Sequence, residues 1–436
     1  MKSIDRDSPQ QRFAGVLLLL MIFASILSGF GLTDFLWMSG LCALAALVLL
    51  WPRSQRAQRI QCVIFIAIGV MCLAFAWASG HGEIPIQQML TQNHLLISLL
   101  CAVSFLRLIT DTRAASGRAP KTGEAAFLQT ISGLHFFSSV INLSALIIFA
   151  DSLSKDQKLG RTAATSLQRG FSLAALWSPF FAAMGTCLLY APGTRLPDLW
   201  LLSIPLCAFG LIFTWAEHRF RSAGGLGTFE GYPVNFRALW VPSLMVVCVL
   251  GANSLFPEVS VLVLVSALSV LVTATVIAAR ESLSLAIATV RNFSYRRLPD
   301  MYGELILFFS TGIMATGISA FVAVTQPALN VVGFTPGIAI SLLAILLFLA
   351  VVGVHAIVSI VAASAIIAPL DPEPAILALI FLVSWSVGAT GGPISGLNLA
   401  MQSRYGVTMG QCFTWNLRYT LAMFTGTSII LLIALN

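Results

Sequence analysis

The sequence predicts an all-α polytopic membrane protein, with about eleven transmembrane helices and two re-entrant hairpins arranged as two inverted repeats. Three observations predict it. Of 436 residues, 58% are hydrophobic and only 9% are charged, against roughly 25% charged in a soluble domain. The apolar residues come in blocks long enough to cross a bilayer, which takes about 20 residues per helix. The basic residues fall almost entirely on one side of the resulting topology. So few charges cannot cover a water-soluble chain of this length. A soluble enzyme, a nucleic-acid binder, a secreted disulfide scaffold and a single-anchor receptor are excluded. The net charge of +7 is therefore expected at membrane-flanking loops, and no nucleic-acid partner is implied.

Taken in order, the first apolar block, 13–31, runs straight into the second, 33–51. It has no small-x-small site with a polar stretch after it, so a span is expected and not a cleaved signal. Spans follow at 60–79 and 93–109. The stretch 124–152 carries Gly133-Leu134-His135 near its middle and Asn142 soon after. A polar, glycine-bearing break at mid-segment predicts two half-helices and a turn, which a membrane tolerates only where protein or a wet cavity surrounds it. Further spans are expected at 170–190, 198–216, 237–256 and 259–280. Residues 281–300 mix apolar and basic side chains and predict a helix on the cytoplasmic interface. After span 301–323 comes the second hairpin, 336–370, broken at Gly353-Val354-His355. Spans 374–397 and 411–435 complete the chain. The eight cysteines are scattered through apolar segments without a CxxC pair, so no metal or redox centre is implied.

The 24 Lys and Arg test this topology. With the N-terminus in the cytoplasm, 22 of them fall on the cytoplasmic side, from Lys2, Arg6 and Arg12 through Arg169 to Arg404. Arg195 alone lies opposite, and Arg418 lies within the last span. This positive-inside asymmetry holds only if both hairpins return to the side they entered. The C-terminus is then periplasmic, in a bacterial inner membrane.

An internal match is the strongest signal. Gly133–Ile147 (GLHFFSSVINLSALI) aligns with Gly353–Ile367 (GVHAIVSIVAASAII), with Gly133/Gly353, His135/His355, Ser139/Ser359 and Ser144/Ser364 among the identities. Trp177-Ser178 has a counterpart in Trp385-Ser386. Five spans separate the hairpins, so they enter from opposite faces. Inverted repeats with broken helices meeting at the midplane are the architecture of many secondary transporters, with the site at the repeat interface. The span after each hairpin is also expected to be broken. The first carries Trp177-Ser178-Pro179-Phe180-Phe181. The second carries four glycines, Pro393 and several hydroxyls between Ser384 and Asn398. Unwound backbone there offers carbonyls to a cation and amides to an anion.

This order of elements resembles the ion transporter superfamily, which includes the divalent-anion/sodium symporters. The resemblance covers nearly the whole chain, and Ser138-Ser139 and Asn142 partly match the family's Ser-Asn-Thr hairpin-tip motif. It implies an elevator-type fold and a homodimer. It also implies residues 1–123 as N-terminal scaffold, 124–197 as transport-domain half 1 and 198–323 as scaffold with the interfacial helix. Residues 324–410 are then transport-domain half 2, and 411–436 the final helix.

The expected function is secondary transport of a small organic anion such as a carboxylate, coupled to sodium or protons. Substrate contacts are expected from Ser138, Ser139, Asn142, Trp177, Ser178, Ser386, Thr390, Ser395 and Asn398. For ion coupling, Ser139, Asn142 and Thr390 offer oxygens to sodium, while His135, His355 and Glu304 offer titratable groups; sodium is preferred. Each of these residues also has a packing alternative: interhelical hydrogen bonding for the hydroxyls and amides, core packing for the tryptophans, and an interfacial position for Glu304. Arg418 is expected to snorkel or to face the cavity. Beyond a sodium ion no cofactor is implied, and no metal. An enzyme is not expected, since no nucleophile–base set is visible. A membrane subunit of a multi-component uptake system and a sodium/proton antiporter are the alternatives.

Overall fold

The computed structural model describes residues 8–32, 35–80, 84–110, 121–154, 158–221, 225–235, 239–325, 333–393 and 395–436. The expected loop positions Lys2, Arg6, Arg113, Arg118, Lys155 and Arg237 lie outside the described residues, as does Ile394 of the expected span 374–397. The fold is helical. Its β pairing among the described residues is one isolated antiparallel bridge, Thr122–Glu230. Nine helical stretches among the described residues are long and apolar enough to cross a membrane. The expected span 170–190 is instead two short helices, and 237–256 is a helix of 16 residues, Trp240–Leu255.

The chain divides into two compact units, Met1–Ile109 with Leu244–Leu329 and Thr110–Ser243 with Asn330–Asn436. The first contains α1 (Pro9–Gly29), α2 (Phe35–Leu50), α3 (Arg56–Ala78), α4 (Ile86–Thr91) and α5 (His94–Val103). The division falls within α11 (Trp240–Leu255). Then follow α12 (Val261–Arg280), α13 (Leu283–Arg296) and α14 (Tyr302–Thr325). Ser8 caps α1 by accepting from Gln11 N, with Pro9 at the first helical position, where its missing N–H costs nothing. The expected interfacial segment is the helix α13, capped by Ser282. The most extensive helix pair is α3 with α14, and it is close because glycines meet at the crossing. A Cβ on Gly317 would stand 2.6 Å from Gly69 Cα. Buried polar groups tie the other helices: Ser25 Oγ lies 2.7 Å from Ser39 Oγ, and Asn93 Nδ2 donates to Phe308 O at 2.8 Å.

The second unit holds α6 (Glu124–Ile141), α7 (Leu143–Ser154), α8 (Arg161–Ala174), α9 (Ala182–Tyr190) and α10 (Leu196–Arg221). It also holds α15 (Pro336–Val351), α16 (Ala356–Ile367), α17 (Pro374–Gly391), α18 (Gly396–Tyr405) and α19 (Met409–Ala434). These are two copies of one five-helix series. The second to fifth helices start at Leu143 and Ala356, Arg161 and Pro374, Ala182 and Gly396, and Leu196 and Met409, a steady offset of 213 or 214 residues. The packing repeats too: α6 lies on α8 as α15 lies on α17, and α8 on α10 as α17 on α19. Residues 198–216 and 411–436, grouped above with the scaffold and by themselves, fall within this unit because α10 and α19 pack on α8, on α17 and on each other.

Contacts between helix ends fix the direction of each series. At one end of the unit lie the start of α6 and the end of α10, where Glu124 accepts from Trp215 and pairs with Arg219. The start of α8 is there too, with Thr165 against His218, and so is the end of α7, with Asp151 against Tyr405 and Arg404. At the other end lie the ends of α9 and α16 and the start of α17. Ser364 donates to Tyr190 O, and Thr194 donates to Pro374 O. Each hairpin therefore returns to the end it entered, and the two enter from opposite ends. The inverted arrangement is present within this unit.

Candidate functional site

Two elbows and two helix breaks lie at the inner level of the second unit. The first elbow is a single residue. Asn142 closes α6 with φ 51° and ψ −135°, and α7 begins at the next residue. Asparagine is among the few non-glycine residues that adopt positive φ. Its Nδ2 also donates to Phe180 O at 3.2 Å, tying the elbow to the break after α8. The expected turn at Gly133–His135 is helical instead. Gly133 is there for packing, since a Cβ on it would stand 2.5 Å from Val234 Cγ2. The second elbow is where the sequence puts it: Gly353 has φ 97°, and His355 caps α16 by accepting from Ile357 N.

The first break spans residues 175–181. Pro179 cannot donate to the helix, and Ser178 Oγ instead donates to Ser139 O and accepts from Phe180 N. Trp177 Nε1 donates to His135 Nε2 at 2.9 Å, and His135 Nδ1 lies 3.0 Å from Gly170 O. An indole N–H only donates, so Nε2 must accept and Nδ1 carries the proton. Both ring nitrogens are thus committed in the neutral form, and His135 takes up a proton only if the Trp177 bond opens. Ser138 Oγ is buried without a partner. His135, Ser139, Asn142, Trp177 and Ser178 therefore form one cluster.

We expect the Trp177–His135 bond to hold this cluster. Trp177→Phe should cost about 1–3 kcal/mol, because it leaves the buried His135 Nε2 with only the weak thiol of Cys207, 3.7 Å away, as a partner. A double-mutant cycle with His135→Leu, followed by thermal unfolding of the purified protein, should give a coupling energy of at least about 1 kcal/mol. Additive losses would mean that the bond contributes nothing.

The second break is shorter than the sequence suggests. Helix α17 runs through Gly391 and α18 begins at Gly396; of the described residues between them, Gly392, Pro393 and Ser395 are outside the helices. The glycines allow close approach: a Cβ on Gly388 would meet Ala350 Cβ at 2.8 Å, and one on Gly392 would meet Ala350 O at 2.6 Å. Ser386 and Trp385 are thus helical. Ser386 Oγ donates to Ser172 O at 2.7 Å, joining the last turns of α8 and α17, and the Trp385 ring stands edge-on to His355 at 5.5 Å. Ser395 caps α18 and donates to Ala389 O. Asn398 is fully buried and donates to Thr390 O and Gly392 O, both at 2.9 Å. Gln402 donates to Pro393 O. Side chains thus satisfy the carbonyls of Ala389, Thr390, Gly392 and Pro393 at this break. The other coupling candidate, Glu304, belongs to α14 in the first unit. Among the described residues, no three His, Cys, Asp or Glu side chains converge as a metal site.

One residue counted with the cytoplasmic loops belongs inside. Arg169 lies on α8, fully buried, and is bound to Glu217 of α10 and Asn416 of α19. In the sequence it looks like one more basic residue before a span. The available signals were the polar run Thr165, Ser166, Gln168, Arg169, Ser172 and the lone acid Glu217 near the end of an apolar helix. Arg418, by contrast, points outward and is exposed.

No family model matches the sequence, and no curated protein matches it. Among solved structures, the chain is similar to the YdaH transporter of Alcanivorax borkumensis, described as revealing an unusual topology. The TM-score is 0.47 at 13% identity, over 85% of this chain and 97% of that chain.

Proposed function

We propose that the protein is a secondary active transporter of a small organic anion, driven by a cation gradient and working by alternating access. The observation that carries this reading is the paired five-helix series of the second unit. Each copy has an elbow and a broken helix, and each enters from an opposite end. Broken helices at repeat-related positions supply helix N-termini and unwound backbone at mid-depth, the usual means of recognising a charged solute there. Helix α9 supports an anion in particular. It starts at the first break, and no side chain caps it, so its first amides remain available to a carboxylate. The substrate contacts proposed are Ser138, Asn142 and the amides that open α9, with Ser395 and Asn398 shaping the second break.

The test is uptake into proteoliposomes of a panel of labelled carboxylates (acetate, lactate, succinate, citrate) under an imposed cation gradient. We expect accumulation of at least one. Asn142→Ala should weaken its binding at least about tenfold, or 1.4 kcal/mol, with folded protein retained. Absence of uptake across the panel under both sodium and proton gradients would overturn the anion reading. Cation flux without any carboxylate would favour an antiporter.

A further inference from the structure

Arg169 heads the largest fully buried side chains among the described residues, and nothing above uses its charge. Nη1 donates to Glu217 Oε2 at 2.6 Å, Nε to Asn416 Oδ1 at 2.9 Å and Nη2 to Trp415 O at 3.0 Å. The guanidinium carbon stands 4.7 Å from the Tyr419 ring centroid. The two charged side chains are 0% and 7% exposed. Glu217 Oε2 is taken by Arg169, but Oε1 is buried without a hydrogen-bond partner. The network continues from Asn416 Nδ2 to Gln168 Oε1 (3.1 Å) and from Gln168 Nε2 to Asn398 Oδ1 (2.6 Å). Asn398 in turn holds the carbonyls of the second break. A buried ion pair is thus wired to the unwound segment that the proposed transport cycle uses.

We infer that Glu217 is the proton-binding residue of transport: a proton adds to its free Oε1 as an anionic substrate group replaces it as counter-ion to Arg169, and both leave together. This rests on the proposed function and names its coupling ion. The reason is charge balance among apolar helices. With neither proton nor substrate bound, Arg169 and ionised Glu217 sum to zero. With both bound, Arg169 and the substrate carboxylate sum to zero beside a neutral Glu217. A proton alone leaves a buried unpaired guanidinium, and an anion alone leaves a buried net negative charge; either is penalised, because an uncompensated charge loses its hydration. Only the empty and the doubly loaded states are neutral, and that is the condition for coupled movement.

The groups around Glu217 fit this role. Helix α8 contributes Arg169 and, farther out, Arg161. Helix α19 contributes Tyr419 and Cys412, and α17 contributes no titratable side chain. His218, next to Glu217 on α10, lies 2.9 Å from Thr165 Oγ1, whose hydroxyl donates to Arg161 O, so its Nε2 donates. Glu124 of α6 is committed to Arg219 and Trp215. Among these, Glu217 alone is a buried carboxylate with an open oxygen.

Two measurements test the inference. In infrared difference spectra of purified protein on mild acidification, the wild type should show a buried protonated-carboxyl stretch, stronger when a carboxylate of the panel is present, because the proton alone leaves Arg169 without a counter-ion. Glu217→Gln should lose it. Should that variant fail to fold, the charge-balanced pair Arg169→Gln with Glu217→Gln takes its place. A band that never appears, or that survives in both variants, overturns the inference whatever the substrate. In proteoliposomes holding a pH dye, wild-type carboxylate uptake should acidify the lumen, while Glu217→Gln exchanges the same carboxylate without moving protons. Proton-driven accumulation by Glu217→Gln would also overturn it. Absence of any carboxylate movement in the wild type would instead count against the transport reading, leaving the infrared result to decide on Glu217.

Discussion

Replacing Glu217 by alanine should destabilise the protein by about 3–5 kcal/mol, the cost of leaving a buried charge without its partner. Arg169 is fully buried, and its remaining bonds go to an amide oxygen and a backbone carbonyl, which are neutral acceptors. They orient the guanidinium without balancing its charge. Arg169→Met alone should lose a similar amount, since it strands Glu217 with neither oxygen paired. The double change Arg169→Met with Glu217→Leu should recover most of the loss, because two apolar side chains of similar volume need no charge balance there. Thermal unfolding of purified protein, with monodispersity on a sizing column, checks all three variants. If the double variant is no more stable than the worse single one, the two side chains do not act as a pair.

That pair also marks where the sequence stopped being informative. Helices, hairpins and their opposed entry were legible because they rest on local pattern: apolar blocks, glycine with histidine at the second elbow, and basic loops. Glu217 and Arg169 are 48 residues apart, and no local pattern predicts their contact. The first elbow lies away from the glycine that marks it in the sequence. The chain turns instead on Asn142, whose short amide adopts positive φ and bonds to Phe180 O. Gly133 and Gly388 are packing glycines, placed where a side chain would strike a neighbouring helix.

The repeat shows how a correct inference can rest on a shifted register. The sequence match pairs positions 220 apart, as in Gly133 with Gly353, whereas the helices themselves repeat at 213 or 214. Around the hairpins, where the helices repeat at 213, the slip is seven residues, close to two turns of an α-helix. It nearly preserves which face each residue occupies, so apolar and small residues still match. What it misplaces is height along the helix. By the structural register, Asn142 and His355 are the equivalent elbow residues. His135, two turns earlier, sits within α6 and bonds to the break after α8.

In the first unit, Gly317→Leu should abolish folding or cost at least about 3 kcal/mol, the upper end of overpacking penalties. At the α3–α14 crossing, a Cβ on Gly317 would enter the backbone of Gly69, 2.6 Å from its Cα. A Cβ on Gly69 would stand 2.6 Å from Ile313 O and 2.9 Å from Met314 Cα. Backbone on both sides cannot move aside as a side chain can, so the helices must separate along the most extensive contact of the unit. In a membrane, helix association depends on this kind of close packing by small residues, with no hydrophobic drive between helices to replace it. Gly251 on α11 provides the control: nothing lies within 4 Å of the Cβ it would gain. Gly251→Leu should fold as well as the wild type or better, since leucine favours helix over glycine by roughly 0.7 kcal/mol. Yield of monodisperse protein and its unfolding temperature read both variants side by side. Equal behaviour of Gly317→Leu and Gly251→Leu would show that α3 and α14 do not meet backbone to backbone.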